Sequence, residues 1–407
     1  MFQSRKKNWL FFVITLGFSI LVCESLLSVA AYFFPFVKYH LSPPWDRNVI
    51  LDPILGKRMS PYYPGHDRRG YRNTHIPETC ELLAIGDSMT YGHAAPPEGS
   101  WPRQLERLSG KATYNASVGG YGPCEYEGVL DELLLMKPKI VLVGLCLEND
   151  IIGAYWTVYI DGRFKHLKSS NEVVLNDIKR LDEEATFLDL AKRYGVAPTG
   201  QTWQQTDTVS PLWEWIRRHS SLYKLGRSTL YSLRSLTKLF HESLDDTFEV
   251  AAKKTFRLTF DAVPRFRTVF IHPSIMELGI NLNDQRIREG LRITQSVILS
   301  MNDKMKKHGG RLIIVLISGK SSVYQEIVQK YDNFPREYFD VVKLEETLTK
   351  NIVKFLEENS ISYVETLQFL RSQFSQELPY YSESDDHHPK SAGYFAIAKS
   401  ILPFLEN

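Results

Sequence analysis

The segment that most constrains this chain is an apolar run, Leu82-Leu83-Ala84-Ile85, that breaks at once into Gly86-Asp87-Ser88-Met89-Thr90-Tyr91-Gly92. The run reads as a buried strand, and the serine falls at the turn where a helix begins. A helix N-terminus offers unpaired backbone N–H groups and a partial positive charge. That suits a nucleophile that must generate and hold an oxyanion. Further polar groups follow in order. Asn149-Asp150 comes just after a second apolar run, Ile140 to Leu145, and Asp385-Asp386-His387-His388-Pro389 comes near the end of the sequence.

Strand-like and helix-like segments alternate around these groups. The pattern predicts strands at 81–85, 111–115, 140–145, 311–317 and 361–366, and helices at 101–109, 125–136, 284–308, 321–331, 344–358 and 391–405. From Asp284 to His308, for example, Ile287, Leu291, Ile293, Val297, Ile298, Met301 and Met305 recur at helical spacing. Gly309-Gly310 then supplies the stop. Such alternation builds a parallel sheet with helices on both faces. The expected fold class is α/β: a three-layer α/β/α sandwich around a mainly parallel five-stranded sheet. Open sheets of this class place their sites beyond the C-terminal ends of the strands, where Ser88 and Asn149 fall.

The chemistry follows from the residue types. A serine hydroxyl is a weak nucleophile until a neighbouring base takes its proton. His388 is the natural base, because imidazole titrates near neutral pH. The base needs a carboxylate to fix its tautomer and stabilise its cation, and Asp385 lies three residues earlier on the same loop. Pro389 drives His388 into extended backbone, ahead of a helix starting near Ser391. Asp385 and His388 are thereby presented on a loop just before a core-anchored helix.

These blocks resemble the SGNH/GDSL hydrolases, over residues 80–150 and about 270–407. By that resemblance Ser88 is the nucleophile, and Asp385 and His388 belong to the Asp-x-x-His-Pro block. Asn115-Ala116-Ser117-Val118-Gly119-Gly120 matches the second block. There Gly120 would give a backbone N–H to an oxyanion hole that the Asn149 amide completes. Ser88 N–H would be the third donor, and the loss of one such donor costs about 100- to 1000-fold in rate. Asp87 and Asp150 are expected to support the two turns. The third block departs from the family's Gly-x-Asn-Asp and reads Leu147-Glu148-Asn149-Asp150.

Each residue also has a plainer reading. Ser88 could be an N-cap, Gly119, Gly120 and Gly122 loop glycines, and Asn149 a turn residue. The joint order of the blocks favours catalysis over these separate explanations. His387 and Asp386 are expected to be solvated and without a role. Asp385 and His388 could instead ligate a metal, but no His-x-x-x-His helix or cysteine pair stands nearby, so neither metal nor cofactor is expected.

The start of the chain bears on compartment. Arg5-Lys6-Lys7 precedes a stretch from Trp9 to Phe36 that is almost wholly apolar, with Glu24 its single charge. A bilayer span needs about 20 such residues. The basic residues should stay in the cytoplasm, which puts the catalytic domain outside it. The rival is a cleaved signal peptide, since Ser28-Val29-Ala30 resembles a small-x-small site; the apolar run continues past it, which favours an uncleaved anchor. Outside the cytoplasm a Cys80–Cys124 disulfide is conceivable, though the sequence alone does not establish it. Net charge is only +2, which gives no electrostatic case for nucleic acid.

The expected organisation is a basic tail (1–7), an anchor (8–36), a lead-in without a strong core pattern (37–79) and the two halves of the catalytic domain (80–150 and 269–407). A mostly helical insert (151–268) separates the halves. The insert contains Trp213 to Phe240, with Arg217, Arg218, Lys224, Arg227, Arg234 and Lys238 beside a leucine stripe. This is either a basic amphipathic segment at a membrane surface or along a cleft for an anionic polymer, or a helical cap with a solvated basic face. The leading expectation is a membrane-anchored serine esterase acting on O-acyl, notably acetyl, esters of envelope carbohydrate or on small acyl esters. Its rivals are an O-acyltransferase fed by a membrane acyl-donor protein, a lipase, and a non-catalytic polysaccharide-binding scaffold.

Overall fold

The computed structural model describes residues 2–34, 37, 41, 49–59, 65–184, 220–223, 225–226, 255–260, 266–271, 273–330, 335–373 and 387–406. The long first helix, α1 (Phe2–Phe33), precedes two short strands, β1 (Val49–Asp52) and β2 (Gly56–Met59), which form their own small sheet. The central sheet comprises β3 (Leu82–Gly86), β4 (Thr113–Asn115), β5 (Ile140–Cys146), β8 (Arg311–Ile317) and β9 (Ser362–Glu365). Between β5 and β8 the chain makes an antiparallel hairpin of β6 (Thr255–Phe260) and β7 (Phe266–Ile271). The end of the expected helical insert is thus β-structure, built from alternating residues such as Thr255, Arg257 and Thr259 that suit a strand.

The order across the central sheet is β4-β3-β5-β8-β9, with all neighbours parallel. Leu82 lies opposite Ile140 and Gly86 opposite Gly144, and Ile140 in turn lies opposite Arg311. β3 and β5 are buried throughout, which explains why they read as unbroken apolar runs: both faces are covered. The chain leaves β3 toward one edge and returns past it to β5. The order therefore reverses between β3 and β5, and a crevice opens beyond their C-terminal ends.

Helices cover both faces. On one, α4 (Pro123–Leu133), α5 (Asp150–Tyr155) and α8 (Gln285–Lys307) pack together; on the other, α3 (Trp101–Ser109) packs with α12 (Ser391–Ile401), which also meets α11 (Leu367–Gln373). The segment after β3 holds a single turn, α2 (Ser88–Tyr91). The remaining helices are α6 (Glu172–Glu184), α7 (Pro273–Ile280), α9 (Lys320–Val328) and α10 (Glu337–Glu358). α10 begins earlier than the sequence pattern predicts. Pro335 sits just before its first turn, and Tyr338, Val341, Val342 and Glu345 are already buried there.

The chain divides into two compact units, one of residues 1–51, 57–70 and 202–244, the other of residues 52–56, 71–201 and 245–407. The expected lead-in is not without core residues. Tyr71 and Asn73 are buried, and Asn73 exchanges hydrogen bonds with the backbone of Asn115 (2.9 and 3.0 Å), extending the edge strand β4. The Cys80–Cys124 disulfide is absent, and both thiols are free and buried. Cys80 N–H bonds to Met136 O, at the far end of the helical stretch that Cys124 begins. Roughly 18 Å of helix lies between those ends, well beyond the reach of a disulfide.

The facing glycines 86 and 144 accommodate one side chain, Thr90, whose Oγ1 occupies the space a Cβ would need at either position. In Gly144→Ala the remaining Thr90 contact, to its Cβ, would be an ordinary 3.5 Å; in Gly86→Ala it would be 2.7 Å, with Gly144 O at 3.0 Å. Both alanines should destabilise the protein by about 1–3 kcal/mol through overpacking. Adding Thr90→Ala should rescue Gly144→Ala but not Gly86→Ala, as read from urea unfolding midpoints.

Candidate active site

The site is assembled at the C-terminal ends of β3 and β5. β3 ends at Gly86, and Asp87 then caps α2: its Oδ1 accepts from Met89 N (2.8 Å). Ser88 is therefore the first residue of the helix, with its side chain at the crevice. His388 Nε2 lies 2.7 Å from Ser88 Oγ, in position to take the hydroxyl proton. The two residues are 300 positions apart in the chain. What joins them is the seating of α12 on α3: Gln104 Nε2 donates to Ser391 O (2.7 Å), and Ser391 Oγ occupies the space beside Gly99.

Asn149 follows β5 as the N-cap of α5 and is exposed to the crevice. Its Nδ2 donates to Asp87 Oδ2 (3.0 Å), the same oxygen that lies 3.4 Å from Ser88 Oγ. The amide is thus held beside the Ser88 hydroxyl. The family's missing glycine costs nothing here, because neither Leu147 nor Asn149 adopts left-handed backbone. Leu147 is buried, with its N–H bonded to Ile317 O (3.1 Å). Gly119 passes close to Ser88, since a Cβ on it would lie 3.6 Å from the serine Cβ. Gly120 sits at φ +74°, which an L side chain would resist.

Asp150 closes the turn after β5, accepting from Tyr126 OH and from Cys146 N, each at 2.7 Å. Burial pushes its carboxyl well above the usual range, and the nearby Asp87 charge adds to the shift. Burial also raises Asp87, against the opposing effect of the hydrogen bonds from Asn149 and Met89. The buried thiols of Cys124 and Cys146 are pushed up likewise and stay protonated.

The structure therefore brings together Ser88, His388, Asn149, Asp87 and the Gly119–Gly120 turn. Asp385 and Asp386 lie outside the described residues. His387 is not solvated as expected: it is buried, and its Nδ1 lies 3.4 Å from Glu148 Oε2. The half-buried His388 meets Ser88, while its neighbour faces Glu148. His93 was not marked by the sequence. It is exposed, and its ring lies 4.6 Å from that of His388. Its position just after Gly92, which ends α2, was the only available signal. Nothing in the sequence foretold the bond from Asn149 to Asp87, which spans 62 residues.

The serine–histidine couple stands at the switch point of the sheet, between β3 and β5. Among solved structures, the chain is similar to a protein described as lipolytic, of the G-D-S-L family, from Desulfitobacterium hafniense DCB-2 (12% identity, TM-score 0.35, covering 79% of this chain and 97% of that one). It is also similar to a catalytic mutant of Axe2, an acetylxylan esterase from Geobacillus stearothermophilus (11%, TM-score 0.36, 82% and 96%). A third similar structure is TesA (13%, TM-score 0.34, 80% and 97%). No family model matches the chain, and no curated protein does.

Asn149→Ala removes a donor that the serine's chemistry would use only as charge develops. It should lower kcat for a small ester about 100- to 1000-fold with KM nearly unchanged. Steady-state kinetics on folded variant, checked by circular dichroism, reads this directly.

Proposed function

We propose that this protein is a serine esterase of the SGNH/GDSL type, anchored in a membrane by α1, that removes short acyl groups, acetyl above all, from carbohydrate outside the cytoplasm. The observation that carries the reading is the 2.7 Å contact between His388 Nε2 and Ser88 Oγ. In the proposed reaction Ser88 Oγ attacks the ester carbonyl while His388 takes its proton. The oxyanion is met by the N–H groups of Ser88 and Gly120 and by the Asn149 amide. Collapse expels the sugar hydroxyl, protonated by His388, and leaves an acyl-serine. Water, deprotonated by the same imidazole, then releases the acid. Asp385 would orient His388. The exposed polar groups of Asn149 and His93 beside the nucleophile suit a polar alcohol as leaving group.

The anchor reading draws on α1 itself. Its segment Phe11–Phe33 spans 23 residues of high hydropathy, about 35 Å of helix at the usual rise, enough to cross a bilayer. Glu24 within it accepts from Ser221 N (2.6 Å), Leu222 N (3.2 Å) and the Ser220 hydroxyl, and Ser28 Oγ lies 3.3 Å from Ser221 Oγ. A carboxylate in a span is costly without partners. Partners supplied by the chain's own residues 220–222 support keeping this helix after synthesis, where cleavage near Ser28-Val29-Ala30 would discard it. An epitope tag at the N-terminus should therefore remain on the membrane-bound protein in immunoblots, and its loss would mark a signal peptide instead.

The test of activity uses detergent-solubilised full-length protein beside Ser88→Ala. Wild type should hydrolyse p-nitrophenyl acetate and deacetylate an acetylated glycan, and Ser88→Ala should lose about 10⁵- to 10⁶-fold in kcat. Acetate transferred onto an added unacetylated glycan would replace the esterase by an acyltransferase using the same serine. Equal inertness of both proteins, with no labelling of Ser88 by a fluorophosphonate, would overturn the catalytic reading in favour of a binding scaffold.

A further inference from the structure

The turn that carries Asn149 is gripped by glycines from three helices. A Cβ on Gly279 of α7 would collide with Glu148 O, one on Gly290 of α8 with Ile151 O, and one on Gly319, the N-cap of α9, with the Glu148 carboxylate. None of the three is left-handed, so these positions require glycine for space. The Glu148 side chain accordingly runs inward and is only 12% exposed. Its Oε2 meets His387 Nδ1 at 3.4 Å. Its Oε1 is buried against Gly319 and has no hydrogen-bond partner among the described residues.

A second carboxylate stands behind it. Glu345 of α10 is buried, accepts from Gly319 N (3.1 Å) through Oε1, and leaves Oε2 buried without a partner among the described residues. The hydroxyls of Ser318 and Ser322 face it. Burial, and next the neighbouring Glu148 charge, push Glu345 up to about 7. Two carboxylates at one buried glycine cannot both ionise without cost.

Glu148 immediately precedes Asn149, and His387 immediately precedes His388. We infer that Glu148 is a positioning residue: its carboxylate holds His387, and through it the backbone that presents His388, with Glu345 buried behind it at Gly319. The inference rests on the esterase reading of Ser88 and His388. Among the described residues, Lys320 and Cys146 are further titratable groups on the neighbouring elements. Lys320 of α9 directs its ammonium over the Phe270 ring (5.7 Å), and the Cys146 thiol at the end of β5 is held protonated by burial. The sign of the pH effect follows from Glu345. Its carboxyl is raised, so below about pH 7 it is neutral and sets no second charge beside Glu148. That relief is lost as pH rises through that value.

The test is a pH series of kcat and KM on p-nitrophenyl acetate with full-length wild type, Glu148→Ala, Glu148→Gln and Glu345→Gln. Glu148→Ala should lower kcat about 100-fold, the cost of an ångström-scale misplacement, with KM nearly unchanged. Glu148→Gln keeps an oxygen for His387 and should recover most of that loss. Wild type should show a fall in kcat on the alkaline side of about pH 7, and Glu345→Gln, which does not ionise, should abolish it. Wild-type kcat in Glu148→Ala, or an alkaline fall that persists in Glu345→Gln, overturns the inference. A readout independent of turnover separates it from the esterase reading: modification of His387 by diethyl pyrocarbonate, followed by mass spectrometry. His387 should be protected in wild type and modified in Glu148→Ala. Equal modification in both overturns the positioning role even if the enzyme proves inert on esters.

Discussion

One buried carboxylate, that of Asp87, joins the parts of the site. It caps the turn that begins at Ser88, so the backbone direction at that serine depends on it. It also receives the Asn149 amide, so the end of β5 is tied to the end of β3. The bond to Asn149 is in reach because of the in-register parallel pairing of those strands, in which Gly86 faces Gly144 and leaves room for Thr90 beneath the turn. Burial disfavours the charge on Asp87, and the hydrogen bonds from Met89 and Asn149 work against that penalty. The site is ordered because a polar group placed inside the protein has to find these partners.

A second principle is close approach. Gly279, Gly290 and Gly319 let three helices reach the backbone and side chain at Glu148–Ile151, and Gly99 lets the start of α12 settle on the segment before α3. Each contact fixes a turn that carries a polar side chain into the crevice. Loops that hold reacting groups gain precision from such packing on rigid elements. The same packing explains why Glu148, a residue that would ordinarily be solvated, is directed inward toward His387 and Glu345.

Much of this was legible in the chain. β3, β5 and β8 were visible because fully buried strands must be apolar at every position, and α3 and α8 because one apolar stripe repeats at helical spacing. Ser88, Asn149 and His388 stood out through the short motifs around them. The hairpin β6–β7 was not expected, as its surroundings lack a strong turn signal and the basic, leucine-rich stretch before it suggested helix. The early start of α10 was hidden because its buried stripe, which runs back from Leu356, Ile352 and Leu348 to Val342, Val341 and Tyr338, is interrupted by the charged Glu345. The sequence left the Cys80–Cys124 pairing open because cysteine count and compartment say nothing of distance, and the structure sets the two toward opposite ends of one helical stretch.

The sequence by itself determined the alternation of strands and helices, the apolar helix at the start, and the residue types available for acyl chemistry. These depend on local composition and periodicity, which are written along the chain. The tertiary structure alone decided that His388 meets Ser88 across 300 residues, that Asn149 is held by Asp87, and that His387 turns inward to Glu148 while its neighbour faces the crevice. Those outcomes depend on strand order, register and helix seating. Such contacts form between residues far apart in sequence, and no local pattern encodes the distance between two side chains that only folding brings together.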